Sequence, residues 1–447
     1  MKLEQLSRPS PTKNGESNKL AFVDRAAHDW YRFVLSFPPH LVRNYLAKWE
    51  INSKQTVLDP FCGTGTTIVE CKKLGIKSIG IEANPIAHFA SSVKTEWGAE
   101  SEELLSHAER IARAAHSELN AQGIPDHEPL QLFSISQKMN DYKLSILRTI
   151  DEDQMKILLA NSISPVPLHK TLIILDHIRN NNGNKQFERY ELLALAKALV
   201  YSISNLHFGP EVGIGKIRND APVVSLWLTE VKSICADLQQ LHKLRNVSSK
   251  VHKADARQIG DILPPRSIDA IITSPPYPNE KDYTRTTRLE SVILGFLKNK
   301  EELRAIKRTL VRSNTRSVYK TDDDDKWISK FPKIQKIAET IEARRIELGK
   351  TSGFERLYPR LTKLYFGGMA RHLSDMRTIL KPGARLAYVV GDQASYLRVM
   401  IRTGQILSEI ATSLGYELVA IDLFRTRLAT ATKEQLREEI VVLKWPG

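Results

Sequence analysis

Two short stretches of this chain carry residue types suited to acting together on a nitrogen-bearing substrate. The first is Thr273-Ser274-Pro275-Pro276-Tyr277. Consecutive prolines fix the backbone and remove amide donors, so the carbonyls here act purely as acceptors. The Ser274 hydroxyl oxygen and the Pro275 carbonyl can together accept both N–H groups of an exocyclic base amine. That grip favours the pyramidal nitrogen whose lone pair can attack a methyl group. Tyr277 adds an aromatic face on which an extruded base can stack, worth about 1–3 kcal/mol. An isolated Ser-Pro-Pro-Tyr is also compatible with a proline turn capping a strand. Its place directly after the apolar run IDAIIT (268–273) favours the chemical reading, because strand ends are where open α/β sheets bind ligands.

The second stretch is VLDPFCGTGTT (57–67). Gly63 and Gly65 permit a tight turn in which backbone approaches a ligand closely, and the helix that follows directs free N–H groups toward it. Glu82 lies 17 residues beyond Gly65, at the end of the next apolar run. That is near the roughly 20 residues typical of a carboxylate that holds ribose hydroxyls. Together these features point to a nucleoside-containing cofactor. The glycines do not continue as G-x-G-x-x-G, and no Gly-Lys-Ser/Thr closes the turn. Dinucleotide and nucleoside triphosphate readings therefore lose ground. Chemistry at cytosine C5 fits poorly, since it needs a thiolate nucleophile and no Pro-Cys dipeptide occurs in the chain.

The elements that must position these residues can be read in outline. Residues 55–58 and 78–81 are β-type runs around a helix over 68–74, which Gly75 ends. This unit opens a doubly wound α/β sheet. From about 101 to 246 the spacing turns helical, with helices expected over 102–119, 144–159, 172–178, 190–206 and 223–244. NNNGNK (180–185) reads as an interhelical turn, and the glycine-rich stretch HFGPEVGIGKIRND (207–220) breaks the block. Strand character returns at 251–254 and 268–273. Residues 300–360 are charged and helical, and the acidic cluster at 322–325 is expected to be a solvated helix start without chemistry. A helix over 372–380, a strand over 385–390, a helix over 406–414 and strands over 417–421 and 439–444 close the chain. The last two suit an antiparallel pair in a mixed sheet.

Composition narrows the setting. The chain has 447 residues, is 42% hydrophobic and carries a net charge of +14. No apolar run approaches the roughly 20 residues that span a bilayer. The first 20 residues lack the apolar centre of a secretory signal and read as a polar, disordered arm. Cys62, Cys71 and Cys235 show neither metal-ligand nor disulfide spacing, which points to a reduced, cytoplasmic compartment and to chemistry without a metal. The positive charge is concentrated. Between Lys281 and Lys320 eleven basic residues face four acidic ones, half of the whole excess, just after the Ser-Pro-Pro-Tyr motif. Arg304, Lys307, Arg308 and Arg312 are accordingly expected to meet the phosphates of a polyanion.

These motifs resemble those of the amino-group (N4-cytosine or N6-adenine) S-adenosylmethionine-dependent DNA methyltransferases. DPFCGTGTT looks like their motif I and TSPPY like their catalytic motif IV. FPPHLV (37–42) looks like motif X, IGIEANP (79–85) like motif II and KADAR (253–257) like motif III. LKPGARLAYVVGD (380–392) and LREEIVVLKW (436–445) resemble later strands of the same sheet. The resemblance implies a Rossmann-like seven-stranded methyltransferase sheet with a large helical insertion, and S-adenosyl-L-methionine as methyl donor. It places Phe37, Pro38, Asp59, Phe61, Gly63, Gly65, Thr66, Glu82 and Asp255 at the cofactor, with Glu82 at the ribose and Asp255 near the adenine. Ser274, Pro275, Pro276 and Tyr277 become catalytic. Serine at the first position of motif IV most often accompanies cytosine N4, whereas aspartate or asparagine accompanies adenine N6. Double-stranded DNA and a cognate restriction endonuclease are the implied partners.

The implied organisation is an arm (1–20), a first core part (21–100), a helical insertion that is a candidate for target recognition (101–246), core with motifs III and IV (247–299), a basic helical segment facing DNA (300–360) and a last core part (361–447). An adenine-N6 enzyme, an RNA base methyltransferase and a non-catalytic DNA-binding protein on a degenerate sheet stand as alternatives.

Overall fold

A computed structural model describes residues 20–33, 36–126, 147–180, 185–209, 211–279, 281–428 and 435–447. The arm expected over 1–20 and the turn expected at 180–185 lie largely outside them. Among the described residues nine strands are present: β1 (Thr56–Asp59), β2 (Lys77–Ile81), β3 (Leu206–Phe208), β4 (Val212–Ile214), β5 (Ser249–His252), β6 (Ile268–Thr273), β7 (Leu380–Gly391), β8 (Glu417–Leu428) and β9 (Gln435–Lys444). Seven form one sheet in the order β5-β2-β1-β6-β7-β9-β8, while β3 and β4 pair apart as a hairpin. The first five in that order run parallel. β9 is antiparallel to both β7 and β8. This is the Rossmann-like mixed sheet expected from the motifs.

Side-chain alternation along the strands builds two cores. Leu58 of β1, Ile271 of β6 and Leu386 and Tyr388 of β7 point to one face, where the helices Gly353–Met376 and Thr403–Ser413 cover them. Val57, Ala270, Ile272 and Ala387 point to the other face, against Leu41, Val42 and Tyr45 of the helix Pro39–Lys48. Because both faces are covered, β6 reads as an almost continuous apolar run. Between β2 and β5 the helices Ser101–Ala121, Pro165–Asn180, Lys185–Ala198 and Val223–Leu241 share a further core around Ile111, Ile174, Leu193 and Trp227. The chain leaves β1 for β2 and β5, then returns to place β6 on the other side of β1. That reversal opens a crevice beyond the ends of β1 and β6, where such sheets take ligands.

Three expected elements differ. Of the helix expected over 144–159, the described part holds a single turn, Glu152–Met155, framed by an Asp151–Gln154 capping box. The helix expected over 190–206 ends at Ala198 and widens into the turn Leu199–Ile203. It stops where the polar pair Ser204-Asn205 takes the chain into β3. The helix expected over 372–380 is the end of the longer Gly353–Met376, and Leu380 already belongs to β7.

The acidic cluster is not a solvated helix start. Asp324 is buried between Arg257 (2.5 Å) and Arg371 (3.2 Å), and Asp322 accepts both donors of the Arg312 fork at 2.6 and 2.9 Å. Gly367, inside the helix Gly353–Met376, lets the Asp324 backbone approach so closely that an added Cβ would collide with its carbonyl oxygen. Backbone cannot swing aside as a side-chain tip can, so Gly367→Ala is expected to destabilise the fold by about 3 kcal/mol or more. Urea denaturation reads this directly, and an unchanged midpoint would contradict the close approach.

Candidate active site

At the crevice lies a cavity of about 300 Å³ into which both chemical stretches open. The glycine turn forms one wall. Gly63 and Gly65 adopt φ of +50° and +89°, conformations that residues with a Cβ rarely take. Gly65 caps the helix Thr66–Lys73 with no side chain on the first N–H groups. Glu82, immediately after β2, accepts the Gly63 N–H at 2.8 Å and the Asn84 N–H at 2.7 Å, one on each carboxylate oxygen. The end of β2 is thereby latched to the turn after β1. Burial pushes the Glu82 carboxyl up to about 7 despite those two donors. A second latch comes from behind. Lys94 is fully buried and donates to the Thr64 carbonyl at 2.8 Å and the Tyr31 carbonyl at 3.1 Å. It ties the glycine turn to the segment that brings Phe33, Ser36 and Phe37 to the cavity.

The Ser-Pro-Pro-Tyr wall follows β6. Asp59, last residue of β1, accepts a 2.6 Å hydrogen bond from Thr273, last residue of β6, and a 3.1 Å bond from the Phe61 N–H. One buried carboxylate therefore sets the two stretches relative to each other, and burial raises its pKa to about 6. Ser274 donates its hydroxyl proton to the Val389 carbonyl of β7 at 3.2 Å. The Tyr277 phenol is a second partner of that hydroxyl, whose oxygen can still accept beside the Pro275 carbonyl. Tyr277 packs edge-on against Gly391, where an added Cβ would stand 3.0 Å from the ring. Burial raises the Tyr277 pKa and keeps the phenol neutral. Glu82, Gly63, Ser274 and Tyr277 all line the same cavity.

The chain is similar to known DNA methyltransferases. The N6_N4_Mtase family model, described as DNA methylase, matches residues 7–90. The chain is 25% identical over 461 aligned residues to the type II methyltransferase M.BsoBI of Geobacillus stearothermophilus, covering 95% of this chain and 86% of that protein. It is 24% identical to the type II methyltransferase M.AvaI of a Nostoc strain, over 93% of this chain and 86% of that one. A shorter likeness, 38% over 69 residues and 15% of this chain, is to the type II methyltransferase M.MjaII of Methanocaldococcus jannaschii. The chain thus resembles the amino-group DNA methyltransferases, in its first part through the family model and along nearly its whole length through the type II relatives. The glycine turn and the Ser-Pro-Pro-Tyr stretch quoted for that resemblance both line the cavity.

Not every residue assigned from sequence faces the methyltransferase cavity. Phe37, Phe61, Gly63, Thr66, Glu82 and the four residues Ser274–Tyr277 line it. Pro38 instead precedes the helix Pro39–Lys48, and Gly65 packs behind the turn against Ser91 and Ile68. Asp59 sits beneath the floor as the latch just described. Asp255 is a correction: the neighbours Ala254 and Ala256 reach the cavity, while its carboxylate is gripped by Arg257 at 2.6 Å. Two of the four cations assigned to DNA are also corrected. Lys307 is buried in a 2.8 Å pair with Asp282, and Arg312 is buried on Asp322. Their charge is neutralised inside the protein, because an unpaired buried charge would be far costlier. Arg304 keeps a side chain that is 63% exposed, and Arg308 lies exposed across the Tyr319 ring.

Sequence reasoning missed part of the wall. The Asp282–Lys307 pair, Val311 and Asn314 line the cavity, as do Phe424 and the Arg425–Glu438 pair from β8 and β9. The charge run containing Lys307 carried no spacing that marks a cavity. Phe424 and Arg425 arrive only because β9 seats β8 at the far edge of the sheet. Among the described residues no helix is long and apolar enough to cross a membrane.

Proposed function

We propose that this methyltransferase transfers a methyl group from S-adenosyl-L-methionine to N4 of a cytosine extruded from double-stranded DNA. In this reading it works in the cytoplasm, beside a restriction endonuclease that reads the same site. The observation that carries the proposal is the Ser274 hydroxyl in the cavity wall, which donates to the Val389 carbonyl and sits beside the Pro275 carbonyl and Tyr277. With its proton on a carbonyl, the hydroxyl oxygen offers a lone pair as acceptor, which suits an amine that brings two N–H donors. The Pro275 carbonyl takes the second N–H, and Tyr277 receives the ring of the extruded base. Serine rather than aspartate or asparagine at this position favours cytosine over adenine.

The residues on the glycine wall fit the proposed cofactor. A carboxylate at the end of β2, partly open to the cavity, suits a pair of ribose hydroxyls. The aromatic rings of Phe33, Phe37 and Phe61 suit the less polar parts. Bound there, S-adenosyl-L-methionine supplies an electrophilic methyl carbon. The protein's share is orientation. Asp59 holds the two walls in register and Lys94 braces the glycine turn from behind, so little reorganisation would be needed to bring donor and acceptor together. Support for type II function comes from the two relatives that span nearly the whole chain, both named type II methyltransferases. Expression in cells free of DNA methylation, followed by sequencing of the genome for modified bases, tests the proposal. N4-methylcytosine at one recurring sequence is expected. N6-methyladenine there would overturn the cytosine assignment.

A further inference from the structure

With Lys307 and Arg312 committed to internal carboxylates, only Arg304 and Arg308 of the four assigned cations stay exposed, too few to grip DNA by themselves. The glycine-rich stretch at 207–220, which interrupts the helical block, forms the hairpin of β3 and β4, with Leu206 opposite Ile214 and Phe208 opposite Val212. Its root is rigid. Buried Asn205 donates to the Asn161 carbonyl and to Ser164 Oγ, both at 3.0 Å. The same residue accepts the Arg218 N–H on its side chain and the Gly215 N–H on its carbonyl, both at 2.7 Å. The Arg218 guanidinium closes the loop on the Ser204 carbonyl.

What this root presents is unlike an ordinary loop. Ile214 is 37% and Ile217 45% exposed, with exposed Lys216 between them in sequence. Two aliphatic side chains and a cation are thus carried in water on a firmly hydrogen-bonded support. The hairpin is also linked to the cavity wall through packed residues. The Phe208 ring lies 6.2 Å from that of Tyr201, and Tyr201 donates to the Arg32 carbonyl at 2.6 Å. Arg32 is followed by Phe33, which lines the cavity.

We infer that the β3–β4 hairpin and the segment to Arg218 form a DNA-contacting element beside the extruded base, with Lys216 on a backbone phosphate and Ile214 and Ile217 against the bases. A two-stranded ribbon is narrow enough to enter the major groove, and aliphatic side chains on a firm support serve elsewhere as wedges between base steps. The cation matches the polyanion, and the aliphatic tips match the only apolar surface a duplex offers, its bases. The inference rests on the DNA methyltransferase reading above.

The test uses the full chain and a duplex of about 30 base pairs carrying the site that the wild type methylates. Lys216→Gln is expected to lower the slope of log affinity against log salt concentration by about one, as for one lost phosphate contact. Ile214→Ala with Ile217→Ala is expected to weaken duplex binding about tenfold or more, while saturable uptake of S-adenosyl-L-methionine stays within twofold. All three side chains are exposed, and that uptake verifies the fold. Wild-type duplex affinity and salt slope in both variants would overturn the inference, including the case in which they lose instead the capture of a protein partner. If the wild type itself bound duplex without salt dependence, the reading of DNA as substrate would fall first, and the two failures are thereby separable.

Discussion

Ser274→Ala lowers the rate of methyl transfer by about 100-fold or more while leaving cofactor affinity within twofold of the wild type. The magnitude is that of removing one preorganised polar contact from a reacting centre. The hydroxyl lies after β6, across the cavity from the Glu82 latch, and its proton goes to Val389 at 3.2 Å. Truncation therefore removes an acceptor for the amine without touching the glycine turn. The Val389 carbonyl keeps its place in β7, which is paired on both edges. Single-turnover transfer of labelled methyl, beside a cofactor titration, separates the two quantities. Full activity in the variant would remove Ser274 from the chemistry. A parallel loss of cofactor affinity would mean that the two walls are not independent.

Glu82→Gln weakens cofactor binding by about 10-fold to 100-fold, the range expected for losing hydrogen bonds to a charged acceptor. The loss follows from what the carboxylate already does. Both of its oxygens accept backbone N–H groups, from Gly63 and Asn84. A glutamine must turn its NH2 toward one of those donors, which loosens the turn and removes the charge together. The wild type should also show a pH signature. Burial raises the Glu82 pKa to about 7, and the ionised form is the one that accepts ribose hydroxyls. Affinity is then full above pH 7 and falls as pH drops through 7, by up to about tenfold per pH unit below it. Calorimetric titration between pH 6 and pH 8 measures this, and Glu82→Gln should flatten the profile. A profile that stays steep in the variant would assign the titration to another group.

The parts of this molecule legible in sequence are those where local chemistry and topology coincide. β6 falls on the run expected for it because a strand covered on both faces leaves only apolar choices. The glycine turn, the helix after it and Glu82 were legible because positive φ, free N–H groups and a strand-end carboxylate are each local requirements. What failed was decided by a particular side-chain partner rather than by spacing. Lys307 and Arg312 looked like a solvated basic face until the fold brought Asp282 and Asp322 to them. Asp255 matched its motif by position, yet Arg257, only two residues on, holds its carboxylate. The acids at 322 and 324 looked idle because their arginines come from separate parts of the chain. Asn314 and Phe424 reach the cavity through tertiary packing alone, and no spacing announces them. The expected helix over 190–206 overran because apolar periodicity continues past Ala198, while the polar Asn205 ends it through contacts with residues 161 and 164.

A crystal structure of the full chain with a non-reactive S-adenosylmethionine analogue and a duplex containing its site tests the central claim most directly. The cytosine should stand outside the helix with its ring on Tyr277 and its amine about 3 Å from both Ser274 Oγ and the Pro275 carbonyl. An extruded base whose amine points away from Ser274, or a target base still stacked within the duplex, would contradict it.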